Sequence, residues 1–339
     1  MTAYGNVSGP ITILGAGAWG TALACVARRA GRPVRLWGRD EAVLAAIAEG
    51  RGNPVYLPGI PLEPGIETTA DIKAALDGSA AVLLVCPAQA VRAVTARAAP
   101  YISDDLPVAL CAKGVERDSA LLMSEVLAET VPGAAPAVLS GPTFAAEVAK
   151  GLPTAVTLAA RDPAMGRFLQ GALAGERFRP YLSDDVIGVE VAGAAKNVIA
   201  IACGIAWGLG LGENACAALL TRGLAEIGRL AGALGGRAET MAGLSGLGDL
   251  TLTAGSKTSR NTRFGIVLGE GGTPADPGSR PALTEGVATA AAIVALAERA
   301  GVSDIPIICA VDDVLAGRLS TEEAIRRLLA RPVGNEGAG

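Results

Sequence analysis

The chain has 339 residues, half of them hydrophobic and 3% aromatic, and a formal net charge of −4. This length is enough for two domains, and the acidic balance with few aromatic side chains excludes a nucleic-acid-binding surface. The sequence contains no histidine, which excludes an imidazole acid–base pair and any zinc site that needs histidine. The six cysteines are scattered without a C-x-x-C pair, so we predict small core thiols in a reducing compartment and no metal site.

No pattern in the chain predicts secretion or a membrane span. The first residues lack a basic segment followed by an apolar core and a cleavage site. The longest uncharged run of the C-terminal half, residues 197–212, has 16 residues and is rich in glycine, which is short for a bilayer. We therefore expect a soluble, cytoplasmic protein.

The N-terminal stretch predicts a strand, a glycine turn and a helix in direct succession. Residues 11–14 form a short apolar, β-branched run that is typical of a buried parallel strand. The sequence GAGAWG at 15–20 follows at once and is a complete G-x-G-x-x-G. Residues 21–30 then predict a helix that ends at Gly31. This order of strand, turn and helix is the context in which the motif indicates a dinucleotide site.

Each glycine of this turn can have its own role. Gly15 would permit the tight turn, Gly17 would let a pyrophosphate approach the backbone, and Gly20 would let helix and strand pack closely. The helix N-terminus then offers unpaired N–H groups and a partial positive charge to the phosphates. A glycine-rich turn without a ligand is the alternative, which the flanking strand and helix disfavour.

The second predicted strand, residues 33–37, ends at Gly38-Arg39-Asp40. In an NAD-binding unit this strand usually ends with an acid that holds the ribose 2′-hydroxyl. Arg39 could instead accept a 2′-phosphate, which favours NADP or use of both cofactors, while Asp40 leaves NAD possible. The alternative is that Arg39 is a solvated charge in a turn.

Strands and helices continue to alternate up to about residue 187. Further strands are predicted at 80–87, 108–112, 137–140, 154–159 and 178–182, and helices at 41–49, 71–76, 91–99 and 145–149. A proline- and glycine-rich loop covers 52–64. The alternation predicts an α/β fold with a doubly wound sheet of the Rossmann type, in which 10–187 form the dinucleotide-binding domain.

Two candidate contact groups follow strands of this sheet. Lys113 comes directly after one strand, and the turn Gly141-Pro142-Thr143 comes after the next. Ligands of such sheets bind outside the carboxyl ends of the strands, so both groups are candidates for ligand contact. For Lys113 a place in a surface loop is the alternative.

From residue 188 the strand pattern largely disappears. Helices are predicted at 188–203, 215–234, 260–268, 286–300 and 320–329, with a flexible loop at 271–281. We expect 188–331 to be an all-helical, substrate-binding domain and 332–339 to be a disordered tail.

Lys196 is the candidate for proton transfer. Between 186 and 212 it shares the segment with a single other charged residue, Glu190, and its neighbours are small and apolar. Desolvation lowers the pKa of a lysine, which suits a proton donor or acceptor near neutrality, and small neighbours leave room for a ligand. The alternative is a lysine that extends from a buried helix to water. Asn197 could orient a carbonyl or amide.

The glycine-rich turn at 243–250 carries Asp249 as its only charge. This carboxylate could pair with the Lys196 ammonium, or it could cap a helix.

The segment KTSRNTR at 257–263 is the candidate anion site. If it is helical, Lys257, Arg260 and Arg263 lie three residues apart and share a face. Arginine, serine and asparagine together suit a phosphate dianion. A solvated basic face is the alternative, but the interleaved polar side chains and the acidity of the chain favour an anion site.

This set of motifs resembles one family, the bacterial-type NAD(P)-dependent glycerol-3-phosphate dehydrogenases. The resemblance covers residues 11 to about 330 and rests on the ordered motifs GAGAWGTALA, LWGRD, AKG, SGPTFAAEVAKGLPTA, VAGAAKNVIAIACG, TRGLAEIGRL, GLSGLGDL, SRNTRFG and TEG. It implies reversible hydride transfer between NADP or NAD, with NADPH favoured, and the C2 carbon that joins dihydroxyacetone phosphate to sn-glycerol 3-phosphate. It also implies a small phosphorylated substrate, a role in phospholipid synthesis and a homodimer.

The resemblance assigns roles to individual residues. Lys196 would be the catalytic acid/base, Asp249 would support it, and Lys113 would contact both cofactor and substrate. The substrate would also meet Gly141, Thr143, Ser259, Arg260 and Asn261. The cofactor would meet Gly15, Gly17, Ala18, Trp19, Gly20, Arg39, Ala145, Arg260, Leu283 and Glu285. Relatives often carry serine at the position of Ala18, which costs one hydroxyl but no backbone donor.

Two other functions remain open from the residues. A ketopantoate or 3-hydroxyacid-type NADP reductase has a similar build, and its carboxylate substrate could bind at Ser259-Arg260-Asn261. A nucleotide-sensing protein that kept the fold without turnover is the other possibility. The presence of Lys113, Lys196 and Asp249 together favours an enzyme.

Overall fold

The computed structural model describes residues 9–273 and 284–332. The chain divides into two compact units. The first comprises the residues up to Ala112 together with Met123–Val186, and the second comprises Lys113–Leu122 and the residues from Ile187 onward. The excursion Lys113–Leu122, which follows a strand of the first unit, therefore groups with the helical unit.

The first unit is built on an eight-stranded sheet with the order β3-β2-β1-β4-β5-β6-β7-β8. The strands are β1 Ile11–Leu14, β2 Val34–Trp37, β3 Ile66–Thr69, β4 Ala81–Leu84, β5 Val108–Leu110, β6 Pro136–Ser140, β7 Thr154–Ala160 and β8 Phe178–Ser183. All neighbours are parallel except β6 and β7. Because β1 lies between β2 and β4, the strand order reverses beside it, as the doubly wound prediction requires.

Helices cover this sheet and bury its apolar side chains. They are α1 Ala18–Arg29, α2 Glu41–Ala48, α3 Ile72–Leu76, α4 Val91–Ala98, α5 Met123–Thr130, α6 Ala145–Ala149 and α7 Pro163–Leu173. Aspartates cap three of them, since Asp40, Asp71 and Asp162 each accept a hydrogen bond from a backbone N–H of the following turn. Capping residues in the local sequence therefore mark the starts of three of these helices.

Several elements of this unit differ from the sequence prediction. Helix α1 begins at Ala18 and not at residue 21, because the last two residues before Gly20 already adopt the first helical turn. The predicted strand at 80–87 is paired only over Ala81–Leu84. Strand β3 and helices α5 and α7 were not predicted. Strand β3 is an edge strand with one buried residue in four, so it lacks the apolar run that marks the central strands.

The second unit is helical. Its helices are α8 Val186–Gly208, α9 Gly212–Ala233, α10 Ala238–Met241, α11 Asp249–Gly255, α12 Arg260–Gly269, α13 Glu285–Arg299, α14 Pro306–Leu315 and α15 Thr321–Leu329. A π-helical turn, Leu244–Gly248, leads directly into α11. The prediction of a glycine-rich turn at 243–250 is therefore wrong, because most of this stretch is helical and Asp249 is the first residue of α11. Helices α10, α11 and α14 were not predicted.

Helix α8 is the central element of this unit. It is long and apolar enough to cross a membrane, but 94% of its apolar window is buried inside the protein, as in the core helix of a soluble protein. The helix is longer than the predicted 188–203 because glycines near its C-terminal end do not stop it.

Those glycines bring α8 into backbone contact with α12. A Cβ added at Gly204 would overlap the Thr262 carbonyl oxygen, and one added at Gly265 would overlap the Ile201 carbonyl oxygen. One helical turn further along, Gly208 and Gly269 meet in the same way. This close approach sets where the N-terminal residues of α12 lie along α8.

The predicted flexible loop and tail fall mainly outside the described residues: this concerns 274–281 of the loop and 333–339 of the tail.

Candidate active site

Three charged side chains of the second unit form one hydrogen-bonded group. Lys196 Nζ lies 2.5 Å from Asp249 Oδ1, and Lys113 Nζ lies 2.7 Å from Asp249 Oδ2. The carboxylate is fully buried, and the two lysine side chains are 7% and 13% exposed, respectively. One carboxylate therefore holds two ammonium groups, and the group carries a net positive charge that suits an anionic ligand.

The helices of the unit position this group. Lys196 lies in the middle of α8, and Asp249 begins α11. Thr253, one turn after Asp249, places its Oγ1 2.8 Å from Lys196 Nζ. The Thr253 carbonyl in turn accepts a hydrogen bond from Thr262 Oγ1 of α12 at 2.6 Å. These bonds tie α8, α11 and α12 together at the lysine.

Burial lowers the pKa of Lys196 from 10.5 to about 8, against the opposing attraction of Asp249. The nearby Lys113 ammonium lowers the pKa further, and Asp249 and Glu285 raise it. An amine with this pKa is mostly protonated at pH 7 and still exchanges its proton readily near neutrality. Lys196 is therefore suited to both directions of a proton transfer.

A chain of amides lies beside the lysines. Asn261 Nδ2 donates to Asn197 Oδ1 at 2.9 Å, and Asn261 Oδ1 accepts from the Gly286 N–H at 3.0 Å. Asn197 Nδ2 reaches the Lys113 carbonyl at 3.5 Å. The amide chain links the first turns of α12 and α13 to α8.

The candidate anion site is the N-terminus of α12. Ser259 is the N-cap and accepts from the Thr262 N–H at 3.4 Å, while Arg260 is the first helical residue and is exposed. Such a terminus presents N–H groups and a partial positive charge to a phosphate. The predicted shared face is wrong for Lys257, which precedes the helix and lies 5.5 Å from the centre of the Trp207 ring.

In the first unit, the glycine turn has the geometry that a dinucleotide needs. Gly15 has a φ of +135°, and a Cβ there would lie 2.7 Å from the Val85 carbonyl oxygen. A Cβ at Gly20 would overlap the Gly15 carbonyl oxygen, whereas a Cβ at Gly17 would have no heavy atom of the described residues within 4 Å. Two glycines are thus required by packing, and the third faces open space.

The surroundings of the turn fit a bound NAD(P). Ala18 begins α1, so the N–H groups at the helix start have no intrahelical acceptor. The Trp19 Nε1 atom is buried and has no hydrogen-bond partner among the described residues. A buried donor without a partner is costly in a folded protein and is typical of a site that receives a ligand.

Arg39 and Asp40, the two candidate cofactor contacts at the end of β2, lie in different environments. Asp40 Oδ1 accepts from the N–H groups of Ala42 and Val43, at 3.0 and 3.2 Å, and so caps α2. Arg39 is exposed, and no carboxylate of the described residues forms an ion pair with it. The arginine is thus the residue at this strand end that is available to a charged group.

The remaining predicted residues lie at the ends of elements. Gly141 follows β6 with a φ of +148°, and Thr143 Oγ1 donates to the Gly141 carbonyl at 3.2 Å. Ala145 begins α6, and Glu285 begins α13. Leu283 lies outside the described residues.

Sequence reasoning missed Thr253, which contacts Lys196 directly. The sequence does contain a signal for this contact. Thr253 lies four residues after Asp249, and in a helix this spacing places two side chains on one face. The signal was hidden by the interpretation of this stretch as a turn.

Both units match one protein family. The model described as NAD-dependent glycerol-3-phosphate dehydrogenase N-terminus matches residues 10–166, and the C-terminus model of the same family matches residues 185–326. A relative from Rhodospirillum rubrum, named glycerol-3-phosphate dehydrogenase with NAD(P)+, is 55% identical over 328 residues, which are 96% of this chain and 94% of the relative.

Solved structures agree with this match. The crystal structure of glycerol-3-phosphate dehydrogenase from Coxiella burnetii is similar with a TM-score of 0.90 and 41% identity, over 96% of this chain and all of that one. A ketopantoate reductase from Ralstonia eutropha shares the fold alone, with a TM-score of 0.61 and 17% identity over 94% of this chain. The sequence matches and the TM-score together show that this chain belongs to the NAD-dependent glycerol-3-phosphate dehydrogenase family.

Proposed function

We propose that this chain catalyses the reversible reduction of dihydroxyacetone phosphate to sn-glycerol 3-phosphate with NADPH or NADH. The observation that carries the proposal is the buried group of Lys196, Asp249 and Lys113 in the same unit as the positive N-terminus of α12. A ketone that bears a phosphate needs both: a proton donor for its oxygen and an anion site for its other end.

Lys196 is the proton donor in this proposal. Of the three N–H bonds of its ammonium, one is directed at Asp249 and one at Thr253, which leaves the third for a substrate oxygen. NADPH or NADH, when bound, would supply the hydride to C2, and Lys196 would give its proton to the oxygen of the forming alcohol. In the reverse direction the neutral amine accepts that proton, which a pKa of about 8 permits.

Asp249 and Lys113 support this step in different ways. Asp249 holds the Nζ atom of Lys196 in one position and keeps its pKa from falling further. Lys113, bound to the other oxygen of the same carboxylate, adds a second positive charge beside the oxygen that becomes negative as hydride arrives.

Arg260 and the first N–H groups of α12 would hold the phosphate, with Ser259 and Asn261 beside them. Because both of the latter side chains already bond within the protein, we assign them chiefly to shaping this terminus. Gly141 and Thr143 are the proposed substrate contacts of the first unit.

The proposed cofactor contacts are the turn at 15–20, Arg39, Lys113, Ala145, Arg260, Leu283 and Glu285. The exposed Arg39, together with an Asp40 that caps α2, supports a preference for NADPH.

Three wider features belong to the same proposal. The product would supply the glycerol phosphate of phospholipids, the enzyme would act in the cytoplasm, and it would form a homodimer. The family membership supports these features, and the burial of α8 within the protein supports a soluble location.

The test is a spectrophotometric assay of reduced nicotinamide with three ketones. Dihydroxyacetone phosphate should be reduced, first with NADPH and then with NADH. Dihydroxyacetone, which lacks the phosphate, should be a poor substrate, and 2-ketopantoate should not be reduced. Reduction of 2-ketopantoate without reduction of dihydroxyacetone phosphate would overturn the proposal.

A further inference from the structure

Asn53 is a buried amide that no part of the proposed reaction uses. It is 1% exposed and lies in the segment 52–64, which was predicted as a proline- and glycine-rich loop. Its Nδ2 donates to the Ala16 carbonyl at 3.1 Å and to Thr21 Oγ1 at 2.8 Å, and its Oδ1 accepts from the Tyr56 N–H at 3.1 Å. Both amide hydrogens and the carbonyl oxygen are therefore engaged.

The bond to Ala16 fixes one peptide plane of the glycine turn. A trans peptide is planar, so its C=O and N–H point in opposite directions. Because Asn53 holds the Ala16 carbonyl, the N–H of Gly17 points away from Asn53. In the part of the chain that the structure describes, no heavy atom lies within 4 Å of where a Cβ of Gly17 would be.

The segment 52–64 holds Asn53 in place along the whole length of α1. Leu57 and Ile60 are buried in the core of the first unit. At the other end of α1, Arg29 Nε pairs with Glu63 Oε1 at 2.7 Å, and Arg28 Nε donates to the Pro64 carbonyl at 2.9 Å. The segment is thus fastened to the first and the last turn of the helix.

We propose that Asn53 is a positioning residue that orients the Gly17 N–H toward the pyrophosphate of NAD(P). This inference rests on the proposed function in that the glycine turn must hold the dinucleotide. A donor that is oriented before the ligand arrives costs no reorganisation on binding. Asn53 therefore contributes to cofactor affinity without touching the cofactor or the substrate.

The test compares Asn53→Ala with Thr21→Val in the full chain. Both variants remove the bond between Asn53 and Thr21. Asn53→Ala also removes the 3.1 Å bond to the Ala16 carbonyl, whereas Thr21→Val removes only the longer contact of 3.5 Å that Thr21 Oγ1 donates to that carbonyl. By fluorescence titration without substrate, we expect Asn53→Ala to raise the Kd of NADPH and of NADH about tenfold, as loss of one hydrogen-bonded constraint allows. Thr21→Val should stay within about twofold of the parent protein.

Two further readouts separate positioning from general damage. Adenosine 2′-monophosphate carries the 2′-phosphate but no pyrophosphate, so its Kd should not change in Asn53→Ala. At saturating NADPH, kcat and the KM for dihydroxyacetone phosphate should also be retained. If Asn53→Ala does not fold, Asn53→Asp keeps the volume and the bond to Tyr56 but sets an oxygen against the Ala16 carbonyl. Asn53→Asp should raise the Kd of NADPH at least as much as Asn53→Ala.

An unchanged NADPH Kd in folded Asn53→Ala or Asn53→Asp would overturn the inference. So would an equal loss of adenosine 2′-monophosphate affinity. Because binding is measured without substrate, a parent protein that binds NADPH but does not reduce dihydroxyacetone phosphate would refute the proposed function and leave the role of Asn53 supported by its own result.

Discussion

The two candidate binding regions are made of different groups. In the first unit the glycine turn offers backbone N–H groups, and the side chains there are mostly absent because packing forbids them at Gly15 and Gly20. In the second unit the site consists of buried charged side chains, two lysines on one aspartate. Backbone donors carry partial charges and need no desolvated ion, whereas each buried charge depends on its partner.

This difference determines how each region should respond to substitution. Removal of one member of the charged group leaves an uncompensated ion or no proton donor. A side-chain change beside the backbone site leaves its donors present and can at most alter the direction in which they point.

Lys196→Met should have the largest effect, because it removes the proton donor and keeps the length of the side chain. We expect kcat to fall about 10³-fold in both directions, in the range of general acid–base catalysis. The Kd of NADPH should not change. Lys257→Met, a change at an exposed lysine outside the charged group, is the matched control. A Lys196→Met enzyme with near-parental kcat would remove Lys196 from the mechanism.

The pH dependence of kcat should report the same lysine. Reduction of dihydroxyacetone phosphate needs the ammonium, so its rate should fall as the pH rises through about 8. Oxidation of glycerol 3-phosphate needs the neutral amine, so its rate should rise there.

Asp249→Asn removes the carboxylate that raises the pKa of Lys196, so the rate of reduction should begin to fall below pH 8. The same change should cost about 3–5 kcal/mol of unfolding free energy, as expected for a broken buried pair. If the rate of the Asp249→Asn enzyme falls at the same pH as that of the parent enzyme, Asp249 does not set the pKa of Lys196.

Arg260→Ala should raise the KM for dihydroxyacetone phosphate by about 10- to 100-fold, because hydrogen bonds between charged groups are worth that much. Arg263→Ala is the matched control: this arginine is also exposed, one turn further along α12. Equal effects of the two substitutions would indicate a general basic surface and not a phosphate site.

Arg39→Ala should raise the Kd of NADPH about tenfold and leave the Kd of NADH almost unchanged, because only NADPH carries the 2′-phosphate. Arg51→Ala serves as control, since Arg51 is exposed in the same unit and pairs with Glu49. Titration of both cofactors checks the result, and an equal loss of both would refute contact with the 2′-phosphate.

Ala18→Ser should have the smallest effect. It adds one hydroxyl at the start of α1 and leaves every backbone N–H of the turn in place. We expect the Kd of NADPH to stay within about twofold, well below the value of a full hydrogen bond. A tenfold gain would show that a side chain of the turn itself also binds the pyrophosphate, which would weaken the contrast between the two units.

The same contrast explains what could be predicted from the sequence. The glycine turn lies within six residues, so its spacing alone predicted the close packing that the structure has at Gly15 and Gly20. The role of Gly17 toward a pyrophosphate stays a prediction. The charged group joins Asp249 to Lys196 across 53 positions and to Lys113 across 136. Local patterns indicated a desolvated lysine and a lone carboxylate, but tertiary packing decides that they meet.

The errors also have physical causes. The stretch 243–250 contains three glycines and suggested a turn, yet its packing supports a π-helical turn in which Gly246 lies against the backbone of Met241. Helix α7 begins with an Asp162-Pro163 start signal that periodicity alone did not reveal. Asn53 lay in a segment whose composition predicts a loop, and nothing local shows which backbone its amide will reach.

The backbone contact of α8 with α12 limits how this protein can be made more heat-resistant. Glycines inside helices are the usual targets for replacement by alanine, which gains about 0.5–1 kcal/mol by restricting the unfolded chain. At Gly204, Gly208, Gly265 and Gly269 that gain is out of reach, because the added methyl group would drive the two helices apart and carry the start of α12 away from Lys196. At Gly171 in α7 and Gly232 in α9, an added Cβ would have no heavy atom within 4 Å among residues 9–273 and 284–332, so the exchange should work there.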